Sequence, residues 1–83
     1  AKGYVVLNEG AAEALASKAS SVLLVGITEV GGEFAKGDIV KILNQEKEEL
    51  GVGIAQYDSA KTREFIGKKG QRAFIHYDYL YLD

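Results

Sequence analysis

Half of the ten Lys and Arg residues fall within residues 61–72: Lys61, Arg63, Lys68, Lys69 and Arg72. Only one acid, Glu64, shares that stretch, so it carries a local charge of +4, while the other five lysines meet eleven acids for a charge of −6. A basic patch on an acidic body is the electrostatic form of a polyanion contact, which makes these five residues the candidates for touching RNA. A solvated helix end explains the same cluster, because peptide dipoles favour Lys and Arg near a helix C-terminus. His76 is the only imidazole, and Asp78 lies two residues on, close enough in sequence to orient it. Acid–base catalysis would also need a substrate pocket or a nucleophile beside that ring, so a lone His in a terminal strand reads as structural. Tyr77, Tyr79 and Tyr81 alternate, which on a strand places all three on one face. Such a stripe stacks bases, fills a barrel core or forms an interface with another domain, with core or interface favoured. With no Cys in the chain, thiolate nucleophiles, disulfides and Cys/His zinc sites are excluded.

The glycine motifs are less informative than they look. Gly67-Lys68-Lys69-Gly70 resembles the Gly-x-x-Gly loop of KH domains, but that loop needs a helix after it, and residues 71–83 are β-prone and rich in Tyr. The same four residues lack the Gly-Lys-Ser/Thr ending of a phosphate-binding P-loop. Gly51-Val52-Gly53 lacks the third glycine of a dinucleotide fingerprint, with Gln56 in its place. Glu46, Glu48 and Glu49 sit in a polar turn and promote solubility rather than catalysis.

These groups must be positioned by a small scaffold. A chain of 83 residues buries roughly 60–65% of the surface its unfolded form exposes, enough for one modest core but not for a second domain or a deep cleft. No apolar stretch approaches the roughly 20 residues that span a bilayer, so no membrane partner is expected. The pattern predicts a strand over 4–7, with Asn8 capping an Ala-rich helix that runs from Glu9 to about Lys18 and packs its small face, Ala11, Ala12, Leu15, Ala16 and Ala19, on a sheet. Strands follow over 22–25 and 27–30, then 39–43, with residues 44–49 as a hairpin connection. From residue 50 to 57, Leu50, Val52, Ile54 and Gln56 alternate with Gly51, Gly53, Ala55 and Tyr57, leaving one nearly bare face that invites close backbone approach. Asp58 and Ser59 cap a short helix over 60–66 that Gly67 closes in the left-handed conformation, and a last strand region covers 73–82. Mostly short strands with two helices and glycine corners predict a mainly β, closed or half-closed barrel.

The ordered set Glu9-Gly10-Ala11, Ala14-Leu15, Ser21-Val22-Leu23, Val25-Gly26-Ile27, Val30, Gly32, Phe34, Gly37-Asp38, Val40 and Ile42 resembles a PUA domain, the module named for pseudouridine synthases and archaeosine transglycosylases. Its continuation through Gly53, Tyr57, Ser59, Ile66-Gly67, His76, Asp78 and Leu80 is similar to the C-terminal PUA domain of bacterial glutamate 5-kinases, with the resemblance covering about residues 4–82. Three departures stand out: Leu24 where the family usually has Pro, Tyr77 and Tyr79 in place of Arg and Asn in the closing motif, and about a dozen residues missing after Gly70. The resemblance implies a PUA-like pseudo-barrel in the order β-α-β-β-β-β-α-β, a single domain over 1–83 cut from the C-terminus of a longer cytoplasmic, oligomeric kinase. It implies no catalytic residue, cofactor or metal in this domain. ATP and Mg²⁺ would belong to an N-terminal amino-acid-kinase domain of the same chain, which becomes the expected partner, with Tyr77, Tyr79 and Tyr81 as candidate interface and RNA as the alternative ligand.

Overall fold

The computed structural model describes residues 2–17 and 20–83. The first strand, β1 (Gly3–Leu7), leads directly into helix α1 (Glu9–Ser17), whose start is fixed by the Asn8 side chain accepting the Ala11 N–H at 2.8 Å. An Asx cap satisfies one of the orphan donors of the first turn, which is why the helix begins where the sequence predicts. Leu15 is buried and Ala11 and Ala12 pack against the core, whereas Ala16 is exposed and Ala19 lies outside the described residues.

The stretch over 22–25, expected as a strand, departs from that expectation. Only Val22 pairs, as an isolated antiparallel bridge to Ile75, and the chain then tightens into a 3₁₀ turn (Leu24–Gly26). The physical reason lies in its partners. The Val22 carbonyl accepts the N–H groups of Phe74 and Ile75 at 2.8 and 3.2 Å, the Leu24 carbonyl accepts the Gly67 N–H at 2.9 Å, and the Gly26 carbonyl accepts the Asn8 N–H at 2.8 Å. Alternate carbonyls at 22, 24 and 26 thus meet three different segments, so no continuous ladder forms. Three strands therefore lie between the helices: β2 (Ile27–Gly32), β3 (Ile39–Leu43) and β4 (Glu49–Ile54).

Helix α2 (Ser59–Phe65) follows, with Asp58 as its cap accepting the Lys61 N–H at 2.8 Å and Gly67, at φ +77°, ending it in the left-handed conformation that glycine adopts without a Cβ penalty. The terminal region is not one strand over 73–82. After Ile75 the chain makes a second 3₁₀ turn (Tyr77–Tyr79) and only then enters β5 (Leu80–Leu82). His76 causes the break, because its Nδ1 accepts the Asp78 N–H at 3.2 Å and caps the turn, offering the backbone an alternative to the ladder.

The sheet order is β2-β1-β3-β4-β5, with β1 and β3 parallel and every other pair antiparallel. The Val22–Ile75 bridge joins the segments leading into the two edge strands and half-closes the sheet into a pseudo-barrel. Inside it are Val5, Leu7, Leu15, Leu24, Val40, Ile42, Phe74 and Ile75, with the Phe34 and Phe74 rings edge to face at 5.9 Å. The bare face of β4 does what its glycines predict. A Cβ at Gly53 would lie 2.7 Å from Ile75 Cγ2, so the Ile75 side chain occupies the space that a larger residue would fill.

Replacing Gly53 with Ala should therefore destabilise the domain by about 1–3 kcal/mol, since Ile75 is fully buried and has nowhere to retreat; urea unfolding measures this, and an unchanged midpoint would contradict the close approach.

A second expectation concerns pH. On the outer surface, Glu29 accepts from Lys47 Nζ at 2.8 Å and from the Tyr4 hydroxyl at 2.9 Å, tying β2 to β1 and to the β3–β4 turn. The Lys47 hydrogen bond, then that of Tyr4, holds the Glu29 carboxyl below its usual range, and the same contact with Glu29 raises the Lys47 ammonium. The stabilisation should be present from above the ordinary carboxylate range up to the ordinary lysine range, and be lost as pH falls through the lowered Glu29 value or rises through the raised Lys47 value. Both groups are solvent-exposed, so the effect is small and salt-sensitive; Glu29→Gln should flatten the acid limb of stability against pH measured at low salt.

Candidate functional site

An open groove of about 680 Å³ lies between the entry to α2 and the segment that returns to the sheet. One wall is the β4–α2 connection, Gln56, Tyr57 and Asp58, continued by Lys61 in the first turn of α2. The other is Arg72 and Ala73 followed by His76, Asp78 and Tyr79, and Lys36 reaches the groove from the β2–β3 loop. Two hydrogen bonds hold the walls together. The Tyr57 hydroxyl donates to the Arg72 carbonyl at 3.1 Å, and the Gln56 N–H donates to the Phe74 carbonyl at 2.8 Å. Tyr57 in turn packs its ring edgewise on Phe65 of α2 at 6.3 Å.

The five basic residues singled out in the sequence do not share one surface. Lys61 and Arg72 line the groove. Arg63 turns to β2, pairing with Glu33 at 3.2 Å and donating to the Gly32 carbonyl at 2.7 Å, so it straps the helix to the sheet. Lys68 lies over the Phe65 ring at 5.7 Å, and both it and Lys69 are exposed on the loop after α2, away from the groove lining. Lys36, which the sequence left unremarked, joins Lys61 and Arg72; its only signal was a lone cation beside the Gly37-Asp38 turn.

The tyrosines also separate, because the 3₁₀ turn breaks the alternation that a strand would impose. Tyr77 stacks on the His76 ring at 4.5 Å and donates its N–H to Ser21 Oγ, while Tyr79 faces the groove. Tyr81 lies on the outer face of the sheet opposite Val52, which pairs across to Lys41, and the adjacent Ile39–Ile54 pair extends this apolar strip. Residues directly opposite on neighbouring strands share a face, so Ile39, Ile54, Val52 and Tyr81 form one patch around Lys41, with Ile39 and Tyr81 more than half exposed. None of the three tyrosines fills the core.

His76 and Asp78 do meet, with Nδ1 and Oδ2 3.5 Å apart. The geometry is that of a capped turn. The groove lining holds no Ser, Thr or Cys hydroxyl or thiol to serve as a nucleophile beside the imidazole. Among the described residues no group of three or more His, Cys, Asp or Glu side chains is arranged to hold a metal ion, and no helix is long and apolar enough to cross a membrane. A second cavity, about 470 Å³, lies between α1 and the 22–26 segment and is lined by apolar and small polar residues without a charge.

The family model described as the PUA domain matches residues 3–74. Among curated proteins the chain is similar to the glutamate 5-kinase of Bacteroides thetaiotaomicron, at 50% identity over 100% of this chain and 23% of that protein. It is similar also to the glutamate 5-kinase of Chlorobaculum tepidum, at 46% identity over 98% of this chain and 23% of that one. The chain thus spans about a quarter of the length of the curated relatives it matches. Among solved structures, a PUA domain protein from Aeropyrum pernix K1, in a tartrate complex, superposes with a TM-score of 0.82 at 30% identity over 90% of this chain and 41% of that one. An H/ACA ribonucleoprotein bound to a substrate RNA superposes with a TM-score of 0.73 at 18% identity, covering 98% of this chain and 24% of that one, a likeness of fold. With four of the five strands and the capped α2 inside the matched residues, the chain belongs to the PUA domain family.

Proposed function

We propose that this chain is the non-catalytic accessory domain of a glutamate 5-kinase, and that it regulates or assembles a larger cytoplasmic, homo-oligomeric enzyme. The single observation that carries the reading is the match of the whole chain, at 50% identity, to about a quarter of such an enzyme. In this reading ATP, Mg²⁺ and glutamate are bound by an amino-acid-kinase domain outside these 83 residues, where glutamate is phosphorylated in the first step of proline synthesis. The outer strip of Ile39, Ile54, Val52 and Tyr81 around Lys41, with Ile39 and Tyr81 more than half exposed, supports docking against that domain, since a largely apolar sheet face is usually covered in a multidomain chain. The expected outcome is that the isolated chain neither binds ATP nor phosphorylates glutamate, while the parent enzyme lacking it keeps phosphotransfer but changes its inhibition by proline or its oligomeric state. Steady-state assays and analytical ultracentrifugation measure both, and unaltered inhibition and assembly would count against the reading.

A second reading, an RNA-binding module, is favoured by the exposed Lys68 and Lys69, close in sequence to Arg72, and by a fold shared with a ribonucleoprotein bound to RNA. If single-stranded RNA binds through these three, replacing all of them should flatten the slope of log affinity against log salt by roughly 2. Absence of measurable RNA binding at low salt removes this reading.

A further inference from the structure

Among the described residues, Lys41, Lys47 and Arg63 form ion pairs and Lys68 covers an aromatic ring. Of the five remaining basic residues, Lys2, Lys36, Lys61, Lys69 and Arg72, three converge on the groove beside α2. Two acids line it as well, so three cations face two carboxylates. Asp58 accepts the Lys61 N–H as the helix cap, and Asp78 lies 3.5 Å from His76 Nδ1. Positive charge is thus left over in a concavity whose walls are fixed by the Tyr57–Arg72 and Gln56–Phe74 hydrogen bonds. At about 680 Å³ it falls within the range that small-molecule sites occupy. Aromatic surface is available as well: Tyr79 is 45% exposed, with its ring 6.2 Å from that of His76.

We propose that this groove binds a free mononucleotide, with the phosphate held by Lys61 and Arg72, Lys36 adding charge from the loop, and the base laid on Tyr79. Unpaired cations on a rigid wall recognise the phosphate. An adjacent exposed ring supplies the stacking that a bare phosphate or a dicarboxylate would not use. The proposal stands apart from the accessory-domain reading, because it needs only these walls and not a kinase neighbour.

The test is a titration of the ¹⁵N-labelled 83-residue chain with AMP, adenosine and inorganic phosphate, followed by amide shifts. AMP should move amides near residues 36, 56–61 and 72–79, and both adenosine and phosphate should bind about tenfold or more weakly than AMP. Arg72→Gln should weaken AMP about tenfold, as should Lys61→Gln. Both variants keep the fold, because the contacts that Lys61 and Arg72 make within the structure run through the backbone N–H of one and the carbonyl of the other. Tyr79→Leu should weaken AMP while leaving phosphate within about twofold, a split that a merely unfolded groove would not give. The proposal is overturned by any of four results. These are no shifts at about 10 mM AMP, shifts centred elsewhere, equal binding of AMP and phosphate, or a short single-stranded RNA occupying the same amides more than about tenfold more tightly than AMP.

Discussion

The structure depends on one backbone contact, the bridge between Val22 and Ile75. Val22 donates to the Ile75 carbonyl at 2.9 Å, and its own carbonyl receives both Phe74 and Ile75. Strands β2 and β5 are the edges of the five-stranded sheet, and without the bridge the segments leading into them would add further unpaired backbone to those edges, which are templates for aggregation. With it, two residues separated by more than half the chain are locked together, and the largest fully buried side chain, Phe74, is pressed onto Phe34. A domain this small has little apolar surface to spare, so a contact that closes the core from the far end carries more weight than any one helix.

The same bridge builds the groove. Once Phe74 and Ile75 are fixed, Gln56 is tied to Phe74 and Tyr57 to Arg72, so the approach to α2 and the returning segment face one another at a set distance. Local chemistry then decides which charges remain free. The Asp58 carboxylate is used to start a helix and the His76 ring nitrogen to start a turn, both short-range backbone demands that absorb acceptors. No such demand absorbs Lys36, Lys61 or Arg72, because helix and turn starts call for acceptors rather than cations. The groove's positive excess is in that sense a by-product of how its walls are capped.

How much of this was legible in the sequence follows from range. Asp58 before a short amphipathic run, Gly67 after it, Asn8 before the Ala-rich helix and the bare Gly51 and Gly53 face are short-range signals, and each gave its feature within a residue or two. The Val22–Val25 run had the composition of a strand, and its conversion to a turn was set by partners at residues 8, 67, 74 and 75 that no local pattern contains. The groove was illegible for the same reason: Lys36, Lys61 and Arg72 are far apart in the chain and are brought together by topology. The tyrosine alternation misled because it presumed a strand that His76 interrupts by capping the next turn with its own ring nitrogen.

That interruption also links the two surfaces. Tyr79 faces the groove and Tyr81 the outer strip, and only Leu80 separates them at the start of a three-residue strand held to Gly51, Val52 and Gly53. So short a strand has little rigidity of its own, and the glycines opposite contribute no side chain to brace it. Contacts on Tyr81 would therefore act on the same few backbone bonds that place Tyr79. A neighbour on the outer face and a ligand in the groove would be coupled to whatever extent each prefers the ordered form of β5, and by linkage the coupling would be equal in both directions.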